Sequence, residues 1–135
     1  MHASMSDLKG LQPEVKTKLE SEGIWTTTQF LEHTRTQQQR AELAHKVGTT
    51  PVAIKELANR ADLMRLRGVG GDFSNMLEEA GVTSCKELQH RVPENLYKAL
   101  EAIHTEKKIG HRVPTLVQTT GWITEAKTLA ATSPV

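Results

Sequence analysis

The stretch Leu66-Arg67-Gly68-Val69-Gly70 sets two glycines around one apolar residue, directly before a segment with the composition of a short helix. Glycine adopts the left-handed backbone of a tight turn at little cost, so this stretch predicts a sharp reversal of the chain. Residues 8–30 align without gaps to residues 66–88, and Gly10 then falls opposite Gly68. The chain therefore contains the same unit twice.

Both copies carry the same signals for helix ends. After each turn comes a helix of about nine residues, closed by Gly23 in the first copy and by Gly81 in the second. A capping-box pattern, in which Thr or Ser is followed three residues later by Gln or Glu, begins the next helix at Thr26 and at Ser84. The shared signals predict two helical units of one design.

Further helices follow in each copy. The spacing of apolar residues predicts helices at about 36–47 and 93–108, and others that begin near Pro51 and Pro114. With 37% hydrophobic but only 4% aromatic residues, the core must be largely aliphatic, which suits helices packed on helices. No segment alternates long enough to predict a strand. We predict an all-α fold in one domain, residues 1–135, with pseudo-repeats at about 5–65 and 66–130.

The two copies differ in what precedes their turns. A full helix runs into the second turn, whereas only about seven residues precede the first. The segment at about 114–130 matches in pattern the helix that begins at Pro51. We therefore predict that this C-terminal helix packs on the N-terminal hairpin, either in a monomer or, in a swapped dimer, on a second copy.

The pattern apolar-x-Gly-apolar-Gly at residues 66–70 resembles the helix-hairpin-helix motif. Over residues 5–130 the arrangement resembles the DUF4332 family of tandem helix-hairpin-helix proteins, including the stretch from Asn59 to Gly70 and the helix start at Arg112-Val113-Pro114. The resemblance implies a SAM-like, helix-hairpin-helix architecture. In helix-hairpin-helix proteins generally, it also implies binding of the DNA backbone without regard to sequence.

In such a turn a phosphate approaches the backbone closely and lies at the positive end of the following helix dipole. Carried over, the resemblance implies amides presented by Gly68, Val69 and Gly70, a helix start at Gly71, and nearby charge from Arg67 and Arg65. The glycines have an alternative explanation, because a tight turn needs them even without a ligand.

A secondary basic patch is expected at Lys107, Lys108, His111 and Arg112. These residues could contact a second phosphate or a partner. They also follow a helix, and cations at a helix C-terminus stabilise its dipole without any ligand.

Two departures from the motif restrict the predicted binding. In the first copy Gln12 replaces the second glycine and Pro13 has no N–H, so this turn is expected to be structural. In the second copy Asp72 places a negative charge in the first turn of the helix, close to where a phosphate would lie. The expected partner is therefore double-stranded DNA, bound weakly and non-specifically by one turn.

No residue pattern indicates an enzyme. Cys85 lies in the first turn of a capped helix, but no His or Asn at a recognisable spacing supports a nucleophile, and a passive thiol is expected. Glu20 and Glu78 are equivalent hydrophilic positions of the two copies and are expected to be solvated. The six histidines never occur at ligand spacing, so neither a metal nor another cofactor is expected.

Charge and composition leave a second hypothesis open. Seventeen Lys and Arg against sixteen Asp and Glu give a net charge of +1, so no global field draws the chain to nucleic acid or to an anionic membrane. Near-neutral charge also suits a protein-interaction or scaffold module with a rigid helical surface. Trp25 could mark such an interface or cover a core edge, and the core edge is the expectation.

The expected compartment is the cytoplasm. No apolar stretch approaches the roughly 18 to 20 residues that a membrane-spanning helix needs, and the first residues lack the apolar region of a signal peptide. A single cysteine is also consistent with a reducing environment.

Overall fold

The protein is described by a computed structural model over residues 4–129. A 3-10 turn, Met5–Asp7, precedes eight α-helices. Their bounds are α1 Pro13–Ser21, α2 Thr27–Glu32, α3 Gln37–Val47, α4 Pro51–Leu63, α5 Gly71–Glu79, α6 Cys85–Leu88, α7 Pro93–Lys107 and α8 Leu116–Leu129. Within these residues no β-strand forms, and a single antiparallel bridge joins Ser4 to Thr26. The predicted all-α fold is confirmed.

The first four helices and the last four pack in the same order. In the first half α1 packs on α3, while α4 packs on both α2 and α3. In the second half α5 packs on α7, while α8 packs on both α6 and α7. Each half has its own cluster of buried apolar side chains, and the chain passes from one cluster to the other at Leu63 and Met64. Packing of α4 on α5 joins the halves.

Local hydrogen bonds explain where the helices begin. Thr26 and Thr36 form reciprocal capping boxes with Gln29 and Gln39. The Ser84 hydroxyl likewise accepts a hydrogen bond from the Glu87 N–H. The second box is only half formed, however, because the Glu87 carboxylate pairs instead with Arg91, 2.7 Å from its Nε.

The predicted position of the C-terminal helix is wrong. Within the described residues α8 packs on α6 and α7, and Trp122, Ile123 and Ala126 lie in the buried cluster of the second half. Helix α8 thus occupies in its half the place of α4 in the first half, rather than packing on the N-terminal hairpin. Residue 130, the last of the predicted helix, lies outside the described residues.

The 3-10 turn, rather than the C-terminal helix, packs against the N-terminal hairpin. The Met5 side chain is 1% exposed and belongs to the buried cluster of the first half. The Met5 N–H donates to the carbonyl oxygen of Trp25 at 3.3 Å. A short segment therefore covers the N-terminal hairpin, and no helix is needed there.

The two tryptophans have opposite environments. Trp122 is 4% exposed, whereas Trp25 is 58% exposed, so the expectation that Trp25 covers a core edge is wrong. None of the helices in the described part of the chain combines the length and apolar composition that a membrane crossing requires.

Candidate nucleic-acid interface

The turn between α4 and α5 is fastened to α8 through its backbone. The Arg67 N–H donates to Glu125 Oε1 at 3.0 Å, and the Arg67 carbonyl accepts from Trp122 Nε1 at 2.9 Å. The Val69 N–H donates to the Leu66 carbonyl at 3.2 Å, and its side chain is buried. The Val69 amide, which the motif would offer to a phosphate, is thus used inside the turn.

The three glycines of this turn differ in what the fold asks of them. Gly68 has φ +80°, a left-handed conformation that side chains disfavour. A Cβ on Gly71 would collide with the carbonyl oxygen of Asp7. Gly70 has an extended backbone at φ −104°, and no described atom lies within 4 Å of where its Cβ would be. Within residues 4–129, neither conformation nor packing requires a glycine at position 70.

The amides that come after Gly70 begin α5 without a cap. Ser74 is the first residue whose N–H bonds back into the helix, to the Gly70 carbonyl at 3.0 Å. No side chain caps the helix at Gly70, and no described residue accepts a hydrogen bond from the N–H of Gly71 or Asp72. These donors lie at the positive end of the α5 dipole, beside the exposed Gly70.

Asp72, the acid expected to oppose an anion here, has a basic side chain close to each carboxylate oxygen. Lys9 Nζ lies 3.1 Å from Oδ1 and His111 Nε2 lies 3.1 Å from Oδ2. Lys9 comes from the first turn of the chain, 63 positions earlier. The negative charge at the start of α5 is therefore offset by Lys9.

The two arginines predicted for the site have different roles. The Arg65 guanidinium pairs with Asp62 Oδ1 at 2.9 Å and donates to the Leu129 carbonyl at 3.4 Å. The other oxygen of the buried Asp62 accepts from the Cys85 N–H at 2.8 Å. Arg65 thus belongs to a buried tie between α4, α6 and the end of α8. Arg67, in contrast, is exposed beside Gly68.

The secondary basic patch divides between two places. His111 and Arg112 line a cavity of about 300 Å³ together with Gly70, Gly71 and Phe73. The Arg112 guanidinium lies over the Phe73 ring, 4.9 Å from its centroid, and donates to Gln118 Oε1 at 3.3 Å.

The two lysines of that patch are not among the residues lining this cavity. Lys107 pairs with Glu79 at 3.2 Å, and the exposed Lys108 ends α7 in a left-handed conformation at φ +55°. Only half of the predicted patch is therefore brought to the glycine turn.

A second cleft, of about 710 Å³, lies on the other side of the Gly70–Asp72 segment. Its opposite wall is the N-terminal segment, including Ser6, Asp7 and Lys9. The start of α5 therefore forms a ridge between two open clefts, with Lys9 on one side and Arg112 on the other.

A buried ion pair holds the two turns together. Arg60 Nη2 lies 2.7 Å from Glu78 Oε1, with both side chains about 14% exposed or less, and Arg60 Nη1 donates to the Lys9 carbonyl at 2.8 Å. Burial raises the pKa of Glu78, against the opposing effect of the Arg60 charge. The expectation that Glu78 is solvated is wrong, because pairing with a residue on another helix leaves no signal in local spacing.

Cys85 has the environment of an inert thiol, as the sequence predicts. It is fully buried, and its Sγ donates to the Asp62 carbonyl at 3.4 Å. Burial, reinforced by the Asp62 charge, raises the pKa of Cys85 to about 12. Among the described residues no group of three or more His, Cys, Asp or Glu side chains could hold a metal ion.

The fold and the turn define a small all-helical protein in which a glycine turn links two four-helix halves. The chain belongs to the DUF4332 family, a domain of unknown function that matches residues 9–129, so the resemblance to this family is confirmed. Neither the curated proteins nor the solved structures include a significant match to the chain.

Proposed function

We propose that this protein binds the phosphate backbone of double-stranded DNA, without sequence preference, through a helix-hairpin-helix turn at Gly68–Gly71. The observation that carries the proposal is the accessibility of the backbone at Gly70. This glycine is exposed, it needs no left-handed backbone, and no described atom lies within 4 Å of where its Cβ would be. The fold itself does not need a glycine at this position. The absence of a side chain there leaves the backbone open to close approach by a ligand.

The hydrogen-bond donors beside Gly70 suit an anion. The free amides of Gly71 and Asp72 point out of the start of α5, where the helix dipole favours negative charge. Arg112 flanks the ridge, the exposed Arg67 lies three residues before Gly70, and Lys9 pairs with the Asp72 carboxylate. A phosphate oxygen at Gly70 would therefore meet hydrogen-bond donors, with Lys9 in one adjoining cleft and Arg112 in the other.

The surroundings of the turn support binding to the backbone rather than to bases. The face of Phe73 is covered by Arg112, and Trp122 is buried. Without an exposed aromatic ring at the turn, unpaired bases have no platform on which to stack. With about two or three cations at the site, we expect an affinity near 10⁻⁵ M and a slope of log K against log salt of about −2.

Titration of a labelled duplex, followed by fluorescence anisotropy at about 50 and 150 mM salt, tests this proposal. Two duplexes of unrelated sequence are expected to bind equally, and Arg67→Glu is expected to weaken binding about tenfold. Arg35→Glu, at an exposed arginine of the first half, makes the same charge change and is the matched control. Absence of binding at 50 mM salt, or equal effects of the two substitutions, would refute the proposal.

Protein docking is a second candidate, favoured by Trp25. Its ring is 58% exposed, while its backbone is held by hydrogen bonds to Gln29 Oε1 at 2.8 Å and from the Met5 N–H. Exposed tryptophans on a fixed backbone are frequent anchors of interfaces. A pull-down with nuclease treatment separates the two functions: partners that survive digestion and are lost with Trp25→Ala support docking, and partners lost on digestion support DNA binding.

A further inference from the structure

The ion pair between Lys9 and Asp72 joins the first turn of the chain to the start of α5. Asp72 is the second residue of α5, next to the free Gly71 amide, and its side chain is about one-third exposed. An unpaired carboxylate at this place would repel a bound phosphate and compete with it for the helix dipole. The effect of Asp72 on an anion therefore depends on the basic groups that pair with it.

A hydrogen bond to its backbone and packing against Gly71 hold Lys9 beside Asp72. The Lys9 carbonyl accepts a hydrogen bond from Arg60, which is itself paired with Glu78 of α5. The Lys9 Cε would lie 3.6 Å from a Cβ on Gly71, and the adjacent Asp7 carbonyl packs directly on Gly71. Lys9 therefore lies along the ridge at the start of α5. Contacts between the first turn and helices α4 and α5 determine its position.

We infer that Lys9 is a positioning residue for phosphate binding at Gly70, acting by holding and neutralising Asp72. This inference rests on the proposed function. The two turns then form one site in which the second supplies amides and the first supplies a cation. Gln12 and Pro13 in the first turn are compatible with this role, because a turn that contributes a cation needs no free amides of its own.

A double-mutant cycle with labelled duplex at about 50 mM salt tests the inference, using Lys9→Met, Asp72→Asn and the double variant. We expect Lys9→Met to weaken binding roughly fivefold, which is the effect of one unpaired charge at a few ångströms in a high-dielectric site. Asp72→Asn is expected to bind as tightly as the wild type or more tightly. In the Asp72→Asn background, Lys9→Met is expected to cost less than about twofold.

Lys46→Met is the matched control. Lys46 forms a similarly exposed ion pair with Glu22, at 3.8 Å, in the first half. Because exposed pairs contribute little to stability, both lysine variants are expected to melt within a few degrees of the wild type. Lys9→Arg keeps the charge and is expected to restore binding.

Equal losses for Lys9→Met in the two backgrounds, or a loss no greater than that of Lys46→Met, would overturn the inference. If the wild type binds duplex and Arg67→Glu weakens binding as expected while Lys9 shows no coupling to Asp72, the proposed function stands and this inference fails. If the wild type does not bind duplex at all, both fail.

Discussion

The two turns share a backbone reversal and differ in the residues directly after it. Gly10 and Gly68 have nearly the same left-handed conformation, at φ +84° and +80°. After Gly10 come Gln12 and Pro13, which supply a side chain and remove an N–H. After Gly68 comes Gly70, which leaves the start of α5 open.

The surroundings of the two turns also make the second turn the more accessible one. The backbone of the first turn accepts a hydrogen bond from Arg60, and its Lys9 pairs with Asp72 beside the second turn. The second is fastened to α8 from behind and is open between two clefts. One chain reversal can therefore be a packing element or an accessible surface, depending on two or three residues after its first glycine.

The largest expected difference between the two turns concerns Asp62, four residues before Leu66. Four residues before Leu8, at the corresponding distance from the first turn, lies the exposed Ser4, so nothing there matches the buried tie that Asp62 makes to Arg65 and the Cys85 amide. Asp62→Ala removes a buried acceptor from both partners and is expected to lower the free energy of unfolding by about 3 to 5 kcal/mol. Urea denaturation followed by circular dichroism measures it.

Ser4→Ala is the matched control for this comparison. The Ser4 hydroxyl accepts only from the Ser6 N–H among the described contacts, at 3.2 Å, so the expected loss is below about 1 kcal/mol. Equal losses of unfolding free energy at the two positions would contradict the expectation that the two turns are held differently.

The next largest effect is a pH dependence that Cys85 gives to the second half. The counterpart of Cys85 in the first half is Thr27, which does not titrate. Because burial raises the pKa of the folded Cys85 thiol from 9.0 to about 12, its contribution to stability is complete below pH 9 and is lost as the pH rises toward 12. The loss is expected to approach about 1.4 kcal/mol per pH unit in that window.

Unfolding curves of the wild type and of Cys85→Ala between pH 8 and 11 measure this effect, since the two proteins differ only in the thiol. The difference in free energy of unfolding is expected to shrink with rising pH. A constant difference would contradict the assigned burial, as would rapid reaction of the native thiol with a thiol reagent at pH 8.

The smallest expected effect is on the first turn. Replacing Gln12 and Pro13 with glycine copies Gly70 and Gly71 into that turn. No described cation pairs with the nearby Glu14, so the grafted turn still opposes a phosphate, and duplex binding is expected to change less than twofold. A gain of tenfold in the anisotropy titration would mean that the glycines alone decide binding.

Local signals in the sequence predicted most of the helices, because caps and turn glycines act over three or four residues. The segments predicted at 36–47 and 93–108 form the helices Gln37–Val47 and Pro93–Lys107. The position of the C-terminal helix could not be read in this way. A repeat pattern predicts that a helix forms, but it does not say which neighbour covers the helix.

The candidate site was predicted in part for the same reason. The glycines of the second turn lie in one short stretch and were visible in the sequence. The pairing of Lys9 with Asp72 and of Arg60 with Glu78 joins residues from distant parts of the chain, and no local spacing encodes it. Such pairs depend on how the two halves pack, which only the folded chain determines.

The most direct test of the difference between the turns is a substitution that stabilises α5 while blocking the free amides at its start. Gly70→Asn places a capping side chain over the free amides, and it is expected to maintain or raise the melting temperature while weakening duplex binding at least tenfold. Gln12→Asn adds a cap at the equivalent position of the first turn and is expected to leave binding unchanged. If Gly70→Asn binds duplex within twofold of the wild type, the second turn is not the binding surface.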